Sequence, residues 1–209
     1  MTPLAPPPPY NLSFTAASLR PELARIVAEH YLASGDWLTA KTTILASNAL
    51  QAKSPASAIR LERELRQRVE RLSAPQLGLL TDSTADDRAA MAWLAALKQN
   101  ALVFEFAAEV LRDKLAGHDT SLRPSDYEGF LTSKSTEHPE ILALAETTRV
   151  KVRRVLLTML REAGILTKGS ALGELQRPAL SIDADRAIRA DDTRWFAGFL
   201  LTDAEIAAA

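Results

Sequence analysis

From Pro21 to Ala163 the apolar residues of this chain recur every three or four positions, and proline, glycine and capping residues interrupt the pattern at intervals. A chain written in that period folds as helices packed through one face. Pro21 suits a first helical position, Leu23, Ile26, Val27, His30 and Tyr31 follow at helical spacing, and Gly35 supplies a left-handed stop. Asp36 is the expected N-cap of a second helix, with Trp37, Ala40, Ile44 and Leu45 inward and a break at Ser47, Asn48 and Gln51. Ser54 and Pro55 make the clearest start, because a hydroxyl accepts from first-turn amides and proline needs no donor there. That helix is predicted to run to about Leu72.

Pro75 then opens a predicted linker through Gly78 to Ala85. Helix formers continue to Ala116 as one long helix or two stacked ones, with Met91, Leu94, Ala95, Leu102, Phe106 and Val110 inward and Gly117 as C-cap. A short helix carries Tyr127, Phe130 and Leu131 after Pro124. Pro139 is read as the start of a longer one that ends before Gly164, with Ala145, Thr148, Val152, Val155, Leu156, Met159 and Ala163 inward. Ile165-Leu166-Thr167 and Ala179-Leu180-Ser181-Ile182 can pair as a small hairpin, and Arg194 to Ile206 reads as helix. The expectation is a mainly α, compact multi-helix bundle in three parts. A Pro-rich arm covers residues 1–9, a helix-turn-helix-like subdomain 10–75, and a second helical subdomain 84–209, in which the basic helix and following hairpin suggest a winged helix.

Composition removes whole classes of function. The 209 residues are 47% hydrophobic, enough for a core, but 25 Lys+Arg against 26 Asp+Glu leave a net charge of -1. Bulk charge therefore attracts neither nucleic acid nor an anionic membrane, and any such binding needs a local patch. With Cys 0 there is no disulfide framework, thiolate zinc site or cysteine nucleophile, in keeping with a reducing cytoplasm. The uncharged start, Met1 to Leu19, holds five of the 11 prolines, unlike a signal peptide. Stretches such as Ala101 to Leu111 fall short of the roughly 20 residues of a membrane span, so a soluble, cytoplasmic protein is expected. No G-x-S-x-G, G-x-x-x-x-G-K-[ST], G-x-G-x-x-G or H-E-x-x-H motif is present, and His30, His118 and His138 lie in different segments. The expectation is a non-enzymatic protein without catalytic residues, metal or cofactor.

The positive signal is where arginine falls. At about 100° per residue, Arg60, Arg63, Gln67 and Arg71 lie within an arc of about 80°, opposite Ala58, Leu61, Leu65, Val69 and Leu72. From Lys53 to Arg71 there are six basic residues (Lys53, Arg60, Arg63, Arg66, Arg68, Arg71) and three acidic ones (Glu62, Glu64, Glu70), an excess of +3 in a nearly neutral chain. Guanidinium groups fork onto phosphate or guanine, Gln67 suits adenine, and Ser54 and Ser57 with first-turn amides can hold a phosphate. The competing reading pairs Glu64 with Arg60, Arg68 or Arg71, and Glu70 with Arg66, as an ordinary solvated face. A second cluster, Arg149, Lys151, Arg153 and Arg154, opens the helix before Gly164. Lys168 and Arg177 would sit on the wing, and the alternative is a bundle helix with a charged exterior. The candidate DNA contacts are thus Lys53, Ser54, Ser57, Arg60, Arg63, Arg66, Gln67, Arg71, Arg149, Lys151 and Arg154.

Several stretches resemble one family. Tyr10-Asn11-Leu12-Ser13-Phe14-Thr15-Ala16, Arg25 to Glu29, Gly35-Asp36-Trp37, Arg60 to Arg68, Phe106 to Arg112 and Arg153 to Leu166 (RRVLLTMLREAGIL) match in order the small BrxA proteins of bacterial BREX phage-exclusion systems. The resemblance spans about Tyr10 to Leu180. It implies a cytoplasmic, mainly helical protein similar in fold to NusB antitermination factors, encoded among BREX genes and able to bind double-stranded DNA without known catalysis. The alternatives are a scaffold that recruits other BREX proteins and an RNA-binding helical protein.

Overall fold

The structure, a computed structural model, describes residues 8–12, 14–167 and 172–208. Most of the expected arm, Ser13 and the expected wing residue Lys168 lie outside the described residues.

Local signals set the first three helices. Helix α1 (Pro21–Ser34) stops at Gly35, whose φ of 68° lets its N–H reach the Tyr31 carbonyl at 2.7 Å. Asp36 caps α2 (Trp37–Ala46) by accepting from the Thr39 amide at 2.7 Å, and the Tyr31 and Trp37 rings stack 3.9 Å apart across this corner. Ser54 Oγ accepts from the Ser57 amide at 3.3 Å to start α3 (Pro55–Val69). Residues 47–54 join α2 to α3, with Asn48 and Gln51 both left-handed and the Asn48 side chain bonded to the Ala52 backbone. That connection is longer than the three- or four-residue turn of a standard helix-turn-helix. Helix α3 ends before Leu72, leaving Arg71 in the turn that follows.

The predicted linker is a helix. In α4 (Ala74–Asp82) Pro75 occupies the first turn, where no donor is needed, and the Gln76 carboxamide accepts from the Ser73 N–H at 2.9 Å. Its buried Gln76 also donates to the Ala187 carbonyl at 3.0 Å. Helix α5 (Ala85–Gln99) is buried on nearly all sides from Ala90 to Leu97, and Trp93 Nε1 donates to the Gly198 carbonyl at 2.9 Å. Asn100 divides the region expected to be one long helix or two stacked ones: it is extended and caps α6 (Ala101–Glu105) through the Val103 amide. A π-helical turn (Phe106–Leu111) then leads into α7 (Arg112–Ala116).

The C-terminal third follows as β1 (Ser121–Leu122), α8 (Pro124–Lys134), α9 (Glu146–Glu162), β2 (Leu166–Thr167), β3 (Gly173–Leu175), α10 (Ile182–Arg189) and α11 (Asp203–Ala208). Pro139 begins a single 3-10 turn, not α9, and Ala145 sits exposed at the α9 N-cap rather than inward. The strand that pairs with β2 is β3, with Leu166 opposite Leu175; Ala179 to Ile182 instead leads into α10. Strand β1 joins on the far side of β3, giving an antiparallel sheet in the order β1-β3-β2. Arg194 to Ile206 is a 3-10 turn followed by α11, parted at Leu200 with φ 66°. One hydrophobic cluster takes in Val27, Leu65, Trp93, Phe106, Leu156 and Phe196, so the core is continuous across both expected subdomains. Among the described residues no helix is long and apolar enough to cross a membrane.

Candidate nucleic-acid interface

The segment from Tyr10 to Arg20 lies between α3 and α9 and fixes their spacing. Arg68, buried on α3, donates to the carbonyls of Ser18 (2.7 Å), Ala17 (3.0 Å) and Phe14 (3.2 Å), and pairs with Glu64 at 2.7 Å. From α9, Glu162 accepts from Ser18 Oγ at 2.8 Å and from the Leu19 N–H at 2.7 Å. At the other end the Tyr10 ring stacks on buried His138 with centroids 3.6 Å apart, while its hydroxyl donates to Glu105 at 2.5 Å. Burial and the Glu105 carboxylate both push the Tyr10 phenol above its ordinary pKa, so it stays a donor.

Over this segment the two basic clusters meet. Ser57, Arg60 and Arg63 of α3 and Lys151 of α9 line one open cleft of ≈ 370 Å³ above Thr15 and Ala16. Arg60 Nε donates to the Ala56 carbonyl at 3.3 Å, which braces the side chain along its own helix. Among the described residues, Arg60, Arg63 and Lys151 form no ion pair. Three cations therefore line one open cleft, and among the described residues no carboxylate lines it with them.

A profile of the BrxA family matches residues 8–192, which include both basic clusters and the segment between them. The chain belongs to the BrxA family. It is similar to the BREX protein BrxA of Escherichia coli O9:H4 (strain HS), 27% identical over 141 residues, 68% of this chain and 66% of that protein. It is also similar to the BREX protein BrxA of Bacillus cereus (strain H3081.97), 32% identical over 94 residues, 45% of this chain and 47% of that one. The matches thus span just under two thirds and about half of those relatives' lengths. A crystal structure of an uncharacterized protein from Magnetospirillum magneticum superposes with a TM-score of 0.78 at 20% identity, covering 92% of this chain and 98% of that one. That likeness speaks to the fold alone.

Within this BrxA family chain the residues expected to face a ligand separate into three groups. Lys53, Arg60, Arg63, Lys151 and Arg154 are exposed and form no ion pair among the described residues, with Ser57 beside them in the cleft. A second group is anchored at one atom. Ser54 caps α3, Arg71 Nε donates to Gln99 at 2.9 Å, and half-buried Arg149 donates to the Ile141 carbonyl at 3.3 Å; Gln67 is half-buried. The third is engaged internally: Arg66 pairs with Glu62 at 2.8 Å and Glu70 at 2.6 Å. Burial works against the charge of Arg66, but Glu70 and Glu62 outweigh it and raise its pKa.

The three carboxylates of the helix are thus consumed, two by Arg66 and one by Arg68, and the positive excess rests on Lys53, Arg60, Arg63 and Arg71. Arg177, assigned to a wing by sequence, is forked onto Glu205 at 2.5 and 2.7 Å instead. Thr15 and Ala16 were missed because they carry no charge. Their place in the Tyr10 to Ala16 motif was the available signal.

Proposed function

We propose that this protein is a non-enzymatic component of a BREX phage-defence system that binds duplex DNA, chiefly through backbone phosphates. The defence part of the reading is supported by family membership and by the two BREX relatives. The DNA part is carried by one observation: the order β1-α8-α9-β2-β3, with sheet order β1-β3-β2, matches the element order of a winged helix, a likeness that supports reading α9 as the recognition helix.

In helix-turn-helix proteins the second helix enters the major groove, with its N-terminal residues nearest the base edges. The N-terminal half of α9 has Glu146, Thr147, Val150, Lys151 and Arg154 exposed, and Lys151 and Arg154 supply the cations that such docking needs. The connection over residues 135–145 is longer than a standard turn and is braced by the His138–Tyr10 stack. Phosphate neutralisation by Lys151 and Arg154 predicts binding that weakens steeply with salt. The test is a duplex shift series across salt concentration with the wild type and Lys151→Ala/Arg154→Ala. Weakened binding and a shallower salt dependence in the variant support the reading, and an unchanged series removes α9 from it.

A second reading, a scaffold for other BREX proteins, is favoured by Leu32 and Leu38, 51% and 71% exposed beside the Tyr31–Trp37 corner. Co-purification of BREX subunits with the wild type and their loss with Leu38→Asp, at unchanged DNA affinity, would support it.

A further inference from the structure

We propose that the cleft between α3 and α9 is a phosphate clamp, in which Arg60, Arg63 and Ser57 from one side and Lys151 from the other close on the oxygens of a phosphate-bearing ligand. Where that ligand is DNA, the proposal rests on the reading above and adds Ser57, Arg60 and Arg63 of α3 to the contact surface, with Lys151 of α9 common to both.

The chemistry of the lining selects the ligand. Three cations and two hydroxyl-bearing residues, Ser57 and Thr15, line ≈ 370 Å³ of open space, and among the described residues no carboxylate lines it, so the cleft repels cations and favours an anion. With its Nε bonded to Ala56, Arg60 keeps its two terminal nitrogens free to fork onto two oxygens, and Lys151 adds a point charge from across the cleft. Thr15 and Ala16 also line it, and among the described residues no aromatic ring lines the cleft to stack on a base. Phosphate, and not the nucleobase, is what such a site recognises. Volume and openness admit a phosphodiester of a duplex backbone or a short free polyphosphate.

The clamp is also preformed. Arg68 on α3 and Glu162 on α9 hold successive backbone groups of residues 14–19, so the two walls keep their separation without a ligand. Its cationic groups are exposed and unpaired, and their removal leaves no buried partner behind.

The experiment uses the full chain, a 20-base-pair duplex and sodium tripolyphosphate as separate probes. The proteins are the wild type, Arg60→Ala/Arg63→Ala, the charge-keeping Arg60→Lys/Arg63→Lys, and Arg186→Ala as a surface-charge control on α10. Thermal unfolding of each variant without ligand reports its folding. Duplex affinity at least tenfold weaker in the double alanine variant, a log–log salt slope shallower by about 1 to 2, and recovery in the lysine variant identify a backbone phosphate in the clamp.

If the duplex does not bind the wild type, but tripolyphosphate does and the alanine variant loses it, the clamp stands on a free polyphosphate and the DNA reading falls. A double alanine variant that binds both probes like the wild type overturns the clamp and leaves the α9 reading intact. A loss equalled by Arg186→Ala also overturns it, because the effect would then be one of overall charge. A wild type that binds neither probe overturns both.

Discussion

Arg68 and Glu64 stand one turn apart on α3 and form an ion pair at 2.7 Å with both side chains buried, and the same guanidinium holds three carbonyls of the segment before α1. Burial lowers the Arg68 pKa and Glu64 opposes that shift, so the charge is kept by its partners rather than by solvent. Removing one member of a buried pair leaves the other uncompensated, at about 3–5 kcal/mol. Arg68→Met is therefore expected to lower unfolding stability by that amount in urea. A loss under about 1 kcal/mol would mean that the carbonyl contacts add little beyond ordinary surface pairing.

Arg63 and Arg66 lie on the same helix and are expected to behave in opposite ways. Arg63 is exposed and unpaired, whereas Arg66 is the partner of Glu62, a carboxylate with no exposed surface. Arg66→Ala should cost about 3 kcal/mol of stability because Glu62 is left buried and unpaired. Arg63→Ala should leave the unfolding midpoint in place and reduce the salt dependence of duplex binding by about 1 in log–log slope. Paired urea and shift measurements check this, and identical behaviour of the two variants would refute the division.

What could be read from the chain was whatever a few neighbouring residues decide. Gly35, Asp36 and Ser54 with Pro55 act through backbone groups within a turn of themselves, and each marks a boundary where it was expected. Pro75 and Gly78 misled, because proline is also a first-turn residue and a helical glycine is tolerated where nothing packs on it. The partner of β2 was misassigned for a different reason: Leu166 pairs with a short strand led by a glycine, and Ala179 to Ile182 only carries the stronger apolar signature. Both basic clusters were legible, but not their meeting. Their juxtaposition depends on Arg68 and Glu162, charged residues that the fold gives to the backbone of residues 14–19, contacts between segments far apart in sequence.

Gly173 carries the hairpin after α9. Its φ is 137°, and a Cβ there would lie 2.4 Å from the Thr167 carbonyl oxygen and 2.9 Å from the Leu166 side chain. Both the backbone conformation and the contact exclude a side chain. Gly173→Ala should destabilise the protein by about 2 kcal/mol or more and separate β3 from β2. Amide exchange reads the effect locally: the Gln176 amide, which donates to the Ile165 carbonyl on the β2 side, should lose protection before those of α5 do. Equal protection in the variant would show that the hairpin accepts the methyl group by a backbone shift.

Glu205 gives a pH dependence whose sign follows from its partners. Its two oxygens take the Arg177 fork, and the carboxylate also accepts from the Thr202 N–H and hydroxyl at 2.8 and 2.7 Å, while its own N–H returns a bond to Thr202. This is a capping box at the start of α11, with an arginine added. The bonds that the carboxylate accepts favour its ionised form, the Arg177 contact most, and the carboxyl is held down to about 2.

An unfolded glutamate titrates near 4.3, so the contribution is complete above that value and disappears as pH falls through about 2. Residue-resolved NMR titration should place the Glu205 midpoint near 2 in the folded wild type. Arg177→Ala should raise that midpoint toward the ordinary carboxylate range, with α11 amides losing exchange protection in acid before those of α5. A wild-type midpoint near 4 would mean that the fork does not persist in solution and that α11 is held by its other contacts, among them the Arg112–Asp203 pair and Ile206 packing.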